Sequence, residues 1–464
     1  MSLIKSISGI RGTIGGKAGE NLTPIDVVKF TSAFATLLKK KGGDSFKIVI
    51  GRDARISGEM VSQLVSSTLI SLGVDVVDLG LSTTPTVEIA VPAEEAQGGI
   101  IITASHNPAE WNALKLLNEK GEFISGAEGV ELLEIAESGD IEFEKVFELG
   151  TYRKDDTYLE KHIDQILALD LVDVEAIKKR KFKVAIDAVN STGGIAVPLL
   201  LERLGVKDVV KLFCEPNGQF PHNPEPLPEN ISEIKAVVEH DRCDLGIIVD
   251  PDVDRLAFVA DTGRTFGEEY TLVSIADYVL SKKKGATVSN LSSTKALQVV
   301  TEKHGCRYES SAVGEVNVVE KMKEIGAVIG GEGNGGIILP ELHYGRDALV
   351  GIALFLTHLT EYGKSAGMLR STYPEYYIAK NKISLTDDIN LDNLLEEMKI
   401  KYSNHEMITI DGVKIFFDDS WVHLRKSNTE PIIRIYSEAD GQSTAEHLGN
   451  KIIQDMNEIL SEKV

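Results

Sequence analysis

Three times along the chain a short apolar stretch gives way to a loop bearing glycine or serine, then a helical pattern, then a second apolar stretch introduced by "LG" or "HG". The copies read "FKIVIGRDARISGEMVSQLVSSTLISLGVDVVDLG", "FKVAIDAVNSTGGIAVPLLLERLGVKDVVKLF" and "GATVSNLSSTKALQVVTEKHGCRYESSAVG". They share an order of elements rather than strong identity, and the order is restrictive. Strands alternating with helices form parallel or mixed sheets covered by helices on both faces, and repetition on this scale predicts a triplicated α/β unit. After "RSTYPEYYIAKNKI" the order changes to a helix ("LDNLLEEMKIKY"), strands ("GVKIFFDD", "SWVHLRKS", "IIRIYSE") and a last helix ("TAEHLGNKIIQDMNEILSE"), which reads as a separate α+β domain. The fold class expected is therefore α/β in four domains: three related mixed α/β units over residues 1–150, 151–258 and 259–370, then an α+β domain over 371–464.

With 49 Lys and Arg against 71 Asp and Glu, the formal charge is −22, spread along the chain rather than gathered in a tail, which disfavours nucleic acid as a partner. An anionic small molecule is still compatible with such a chain if a few cations converge in one cleft. "MSLIKSISGIRG" lacks the apolar core of a signal peptide, and no apolar run is long enough for a membrane helix, so a cytoplasmic protein without a membrane partner is expected. Cys214, Cys243 and Cys306 are widely spaced and without partners at metal-ligand spacing, which argues against a disulfide scaffold or a zinc site and predicts buried small hydrophobes.

Where the cations converge is a matter of motifs. "GGIIITASHNP" runs a buried strand into a loop that carries Ser105 and His106, at the strand exit where α/β proteins place reactive groups; alone, it is also what a Ser/Asn/Pro turn looks like. No G-x-S-x-G elbow is present, and His106 is poorly placed to serve its immediate neighbour as a hydrolase base. In "LGIIVDPDVDRLAFVA", Asp250, Asp252 and Asp254 recur at every second position, a period that in extended chain sends all three to one side. Carboxylates so close repel unless a cation sits among them, and all-oxygen ligation selects a hard ion such as Mg²⁺. An EF-hand is excluded, since Arg255 stands where its glycine belongs, and a solvated acidic turn is the remaining alternative.

"GGEGNGG" satisfies a dinucleotide spacing but opens no helix, because "IILPEL" follows. Its Glu332 and Asn334 suit sugar hydroxyls, or mark a structural turn. "LRKSNTEPIIRIYSE" gathers Arg425, Lys426, Ser427, Asn428 and Thr429 before a strand with Arg434, a composition that fits a phosphate clamp or a polar hairpin. "SGIRG" with Arg11 and "WNALK" with Lys115 are bland by themselves.

Taken in order, "SGIRG", "TASHNP", "WNALK", "DPDVDR", "GEGNGG" and "RKSNTEP" resemble the α-D-phosphohexomutases over nearly the full length. That resemblance implies four domains around a central cleft. It implies a phosphoserine at Ser105, and Mg²⁺ held by Asp250, Asp252, Asp254 and the Ser105 phosphate. It implies sugar contacts from Glu332 and Asn334, and a clamp on the nonreacting phosphate from Arg425, Ser427, Asn428, Thr429 and the nearby Arg434. The reaction implied interconverts hexose 6-phosphate and 1-phosphate through a hexose 1,6-bisphosphate that turns around in the site, in a monomer or homodimer. Lys115 is the candidate general acid/base, its pKa expected to be lowered by Arg11 and Arg255, which also steady the phosphoryl oxygens, with His106 beside the serine. The chain departs from some members at Gly336, where they carry His, and at Glu315, where they carry His or Asp. These loops are nearer the phosphoglucosamine branch, and an acidic lining of Glu315 and Glu332 would tolerate a C2 ammonium, so glucosamine phosphate is the expected substrate. Glucose and mannose phosphates are the alternatives within the class, and a phosphatase or a noncatalytic phosphosugar binder the alternatives outside it.

Overall fold

A computed structural model describes residues 2–6, 9–42, 46–384, 391–426 and 432–461. The first sheet contains β1 (Ile4–Ser6), β2 (Gly9–Thr13), β3 (Lys47–Arg52), β4 (Asp75–Leu81), β5 (Gly98–Ile102), β6 (Trp111–Leu117) and β7 (Tyr152–Lys154), in the order β1-β2-β6-β5-β3-β4-β7. The second contains β8 (Lys183–Asp187), β9 (Asp208–Leu212), β10 (Leu245–Val249) and β11 (Leu256–Ala260), in the order β11-β10-β8-β9. The third contains β12 (Thr287–Asn290), β13 (Tyr308–Ser311), β14 (Ile329–Glu332) and β15 (Gly336–Ile338), in the order β13-β12-β14-β15.

One four-strand unit recurs in all three. Its first strand pairs in parallel with its second and third, and its fourth is antiparallel to the third, as in β3, β4, β5 and β6, then β8 to β11, then β12 to β15. The expected triplication is thus a repeat of topology. Strands such as "GGIII", "LGIIV" and "LAFVA" are buried at every residue, as continuous apolar runs require when both faces are covered. Ile100 and Ile102 pack into the cluster of Phe30 and Phe34, whereas Ile101 faces Val87 and Val91. Each such side chain contributes roughly 1.5–3 kcal/mol on burial, and together they fix where β5 ends. The links that follow these strands therefore leave rigid strand ends.

Last comes an antiparallel sheet of β16 (Tyr377–Ser384), β17 (Met407–Ile408), β18 (Val413–Phe416), β19 (Trp421–Lys426) and β20 (Ile432–Ala439), in the order β16-β20-β19-β18-β17. Helices Leu391–Lys401 and Gln442–Ser461 close its core, so the expected α+β domain is present. It is seated on the third unit by Ser292 Oγ with His423 Nδ1 (2.9 Å), by Lys414 Nζ donating to the Leu291 carbonyl (2.7 Å), and by the Val313 N–H donating to Asp411 (3.0 Å). Of the three cysteines only Cys243 is fully buried, Cys214 and Cys306 being partly exposed near loops, which corrects the expectation of three core thiols.

Candidate active site

The link from third to fourth strand occupies the same place in each unit, and each link carries one motif: Ser105 between β5 and β6, Asp250 to Arg255 between β10 and β11, and Gly333 to Gly335 between β14 and β15. Ser105 sits at φ +48°, a left-handed conformation unusual outside glycine. What holds it there is Arg55, a residue that sequence reasoning missed. Its buried guanidinium donates to the carbonyls of Ser105 (2.6 Å), Asn107 (2.6 Å), Pro108 (2.5 Å) and Trp111 (3.0 Å), and through Nε to Asp53 (3.0 Å). Asp53 in turn accepts from Thr103 Oγ1 (2.7 Å), which accepts from the Ser105 N–H (2.9 Å). Five donors on a planar fork match four diverging carbonyls in a way an ammonium cannot. Arg55→Lys is accordingly expected to lower kcat by on the order of hundredfold while leaving KM for the sugar phosphate nearly unchanged, since a displaced nucleophile costs rate rather than binding. Steady-state kinetics check this, and an unaltered kcat would refute the positioning role.

Ser105 Oγ donates to Asp250 Oδ2 at 2.7 Å, joining the first motif to the second. Asp250, Asp252 and Asp254 are fully buried, with one oxygen of each within 4.8 Å of the others. The three do converge, but through a turn beyond β10 rather than along an extended segment: Val253 takes φ +63°, costing a β-branched residue ~1–2 kcal/mol, while Asp250 Oδ1 accepts the N–H groups of Asp254 (3.1 Å) and Arg255 (3.0 Å). Asp252 Oδ1 and Asp254 Oδ1 are buried without a hydrogen-bond partner. Orphaned carboxylate oxygens in a closed site fit a hard divalent cation. Burial first, then Asp254 and Asp252, pushes the Asp250 carboxyl well above its ordinary range.

Lys115 lies on β6 and its ammonium donates to Asp252 (2.7 Å) and Asp254 (3.0 Å). The expectation that Arg11 and Arg255 lower its pKa is not met. Burial acts downward, but Asp252 and Asp254 outweigh it and the pKa rises; the like charge felt by Lys115 is Arg346. Asp254 goes the other way: burial opposes ionisation, yet Arg346 and Lys115 hold its carboxyl far below the usual range.

Arg11, on β2, reaches Asn107 Oδ1 at 3.5 Å, and its pKa is lowered by burial and by Arg255 and Arg346. His106 Nδ1 is 3.5 Å from Ser105 Oγ; burial, Arg255 and Arg11 hold its pKa well below normal, so it is neutral. Arg255 is steadied by Glu225, 2.9 Å away, on a loop that the sequence did not single out.

Arg346 is the second residue that sequence reasoning missed. It bridges Asp254 (2.7 Å), Glu332 (2.6 Å) and Glu315 (3.1 Å). Glu332 also accepts from Asn290 (2.9 Å), and Asn334 Nδ2 is 3.4 Å from it. A Cβ added to Gly336 would lie 2.3 Å from Arg346 Cδ, so Arg346 fills the space that a side chain at 336 would need. The pair of carboxylates thought to favour an ammonium, Glu315 and Glu332, is therefore already gripped by a guanidinium. Burial lifts Glu315 to about 8 despite Arg346.

In the C-terminal sheet Arg425 and Arg434 are directly paired across β19 and β20. Like charges opposite one another repel, an arrangement suited to a doubly charged anion. Burial and Arg434 lower the Arg425 pKa, although Asp411 opposes them, and Arg425 feels the charge of Glu332 at the end of β14. Ser427, Asn428 and Thr429 lie outside the described residues.

The chain matches four family domains of phosphoglucomutase/phosphomannomutase: alpha/beta/alpha domain I over residues 3–142, domain II over 160–263, domain III over 267–376 and the C-terminal domain over 383–454. It is 37% identical to a phosphoglucomutase/phosphomannomutase of Thermococcus kodakarensis, covering 96% of this chain and 98% of that protein. It is 33% identical to a phosphoglucosamine/phosphogalactosamine mutase of Sulfurisphaera tokodaii, covering 97% and 98%. The crystal structure of a phosphoglucomutase/phosphomannomutase family protein from Burkholderia thailandensis superposes with a TM-score of 0.84 at 25% identity, covering 97% of this chain and 96% of that one. Among the described residues no helix is long and apolar enough to cross a membrane.

Proposed function

Because the chain belongs to the phosphoglucomutase/phosphomannomutase family of the α-D-phosphohexomutase superfamily, we propose that it interconverts hexose 6-phosphates and 1-phosphates through a phosphoserine at Ser105. The observation that carries this reading is Ser105 Oγ, 2.7 Å from a buried three-carboxylate cage, with the paired arginines 425 and 434 on a separate sheet. A phosphatase needs the first feature and not the second. A binding protein has no use for a strained, buried serine against a carboxylate.

Asp250, Asp252 and Asp254, with the Ser105 phosphate, would hold Mg²⁺, which when bound offsets charge developing on the transferred phosphoryl group. Ser105 Oγ accepts or releases the phosphoryl group while Arg55 fixes the loop. Arg11 and Arg255 line the path of its oxygens, and neutral His106 adds no charge beside it. Lys115, held as an ammonium, is ready to donate its proton to the sugar oxygen from which a phosphoryl group departs; in the opposite direction the same nitrogen takes up the hydroxyl proton. Glu332 and Asn334 read sugar hydroxyls. Arg425 and Arg434, with Ser427, Asn428 and Thr429 of the same loop, grip the phosphate that does not react. A hexose 1,6-bisphosphate is the intermediate that must turn around, and supplied from outside it would charge Ser105.

Arg425→Ala is expected to raise KM by on the order of hundredfold with a smaller fall in kcat, because the clamp is used in ground and transition states alike. Unchanged kinetics on every phosphosugar would move the phosphate site elsewhere. For the sugar itself we propose glucosamine phosphate as the preferred pair, with glucose phosphate also turned over. The support is the loop sequence at "GEGNGG" and "AVGEVNV", since Arg346 neutralises the acidic lining. A difference of one group at C2 is worth about 1–3 kcal/mol unless a buried polar group is left unpaired. Comparing kcat/KM on glucosamine, glucose and mannose 6-phosphates tests the choice: a mannose or glucose value well above glucosamine overturns it.

A further inference from the structure

Behind the active site, away from the aspartate loop, a second polar cluster is buried except at His343, whose side chain is partly exposed. His162 stands on helix Tyr158–Leu167 and is 0% exposed. Its Nε2 is 2.9 Å from Asp347 Oδ2, and its Nδ1 is 3.0 Å from Thr86 Oγ1. His343 approaches the same Asp347 oxygen with its Nε2 at 3.4 Å, and its Nδ1 is 3.4 Å from Glu88 Oε2. The two imidazoles meet edge to face, with ring centroids 6.3 Å apart. Asp347 Oδ1 is already engaged, capping helix Ala348–Tyr362 through the N–H groups of Leu349 (2.8 Å) and Val350 (3.2 Å), so that Oδ2 alone is offered to the rings.

Three features go beyond a hydrogen-bonded core. Both histidines turn the same nitrogen, Nε2, to one carboxylate oxygen; behind them the Nδ1 of His162 meets a hydroxyl at 3.0 Å and that of His343 stands 3.4 Å from a carboxylate. That is the geometry by which proteins orient metal-binding imidazoles. The one candidate ligand atom of each of His162, His343 and Asp347 lies within 4.8 Å of the others. Glu88, 2% exposed, has both carboxylate oxygens buried without a hydrogen-bond partner. Room for this is kept by Gly345, where a Cβ would fall 1.9 Å from Glu88 Oε2 and 2.9 Å from His343 Cε1.

Charge points the same way. Two buried carboxylates, Glu88 and Asp347, stand beside two imidazoles that are neutral when metal-bound, and one dication would balance them.

We propose that His162 Nε2, His343 Nε2 and Asp347 Oδ2 form a second metal site, for a transition-metal dication of the zinc class, with Glu88 and Thr86 orienting the rings. Two nitrogens and one oxygen select such an ion over Mg²⁺, and a fourth position is left for water. The ion ties helix Tyr158–Leu167 to the segment that carries Arg346, and through Thr86 and Glu88 it bears on helix Thr84–Ala93. Thr84 Oγ1 of that helix donates to Asp252 at 2.6 Å, and Arg346 grips Asp254 at 2.7 Å. The site thus acts as a staple behind the aspartate loop rather than in the reaction.

The test uses the full-length protein, stripped by chelator and returned to excess Mg²⁺ so that the aspartate loop is occupied. Co²⁺ is then titrated while visible absorption is followed, and Zn²⁺ retention after desalting is measured by elemental analysis. One equivalent is expected, with imidazole ligation in the Co²⁺ spectrum, retained in Asp252→Asn and lost in His343→Gln and His162→Gln. Glu88→Gln should weaken Zn²⁺ by roughly 10–100-fold, the usual effect of losing an orienting carboxylate. Zn²⁺ should also raise Tm in the wild type and not in His343→Gln. Failure of the wild type to retain an equivalent, or retention lost in Asp252→Asn and kept in His343→Gln, overturns the site and leaves the cluster a proton-sharing ladder.

Discussion

Ser105→Ala is expected to reduce mutase activity by on the order of 10⁴-fold or more, the scale on which removing a covalent nucleophile acts, while leaving the fold intact. The loop around residue 105 is held by backbone groups: Arg55 takes its carbonyl and Thr103 its N–H. Alanine keeps both, and it is no worse than serine at φ +48°. The 2.7 Å contact to Asp250 is removed, a hydrogen bond worth about 1 kcal/mol, together with the long 3.5 Å approach to His106, so Tm should shift little. Intact mass and peptide mapping should find phosphate on Ser105 in part of the wild-type protein and none on the variant, even after incubation with hexose 1,6-bisphosphate. Phosphate mapped to another residue, together with full activity in Ser105→Ala, would remove the central claim.

That Ser105, the aspartates and the glycine loop belong to one site is legible in sequence because each follows a short, wholly apolar strand. The run itself says that the strand is buried and that the loop begins where it stops. The triplicated order supplies the rest, since equivalent loops of equivalent units fall in one region. What sequence cannot show is which distant residues support those loops. Arg55 sits in "GRDARIS" like any surface arginine until β3 and β5 pair and bring it under the carbonyls of residues 105 to 111. Arg346 adjoins Asp347, whose position before an apolar helix is a readable N-cap, but nothing local says that its guanidinium spans three carboxylates. The period-two aspartates gave the right convergence for the wrong local reason, because the left-handed turn at Val253 is set by packing and not by propensity. The pKa of Lys115 was misjudged for a related cause: sequence shows nearby arginines, while direct ion pairs at 2.7 and 3.0 Å decide the direction.

Asp252→Asn is the variant in which those ion pairs and the cation cage part company. It is expected to lose activity by a hundredfold or more, about 2.7 kcal/mol of transition-state stabilisation, with a much smaller change in stability. Asparagine preserves the shape, so Thr84 Oγ1 and Lys115 keep a polar neighbour where Oδ2 stood, at 2.6 and 2.7 Å. Lys115 also retains Asp254 at 3.0 Å, and no buried charge is left alone. Against the lost attraction to Lys115 stands relief from two carboxylates in the same cage, and the two changes oppose each other in the folding balance. No such offset exists for the cation. Asp252 Oδ1 is one of two buried oxygens in the cage without a partner, and replacing its charge removes both a donor and a third of the negative field. Activity should therefore fall steeply and recover in part at high Mg²⁺, whereas thermal unfolding in chelator should resemble the wild type. An Asp252→Asn enzyme that turns over in chelator at the wild-type rate would show that the three carboxylates serve the structure and not the phosphoryl transfer.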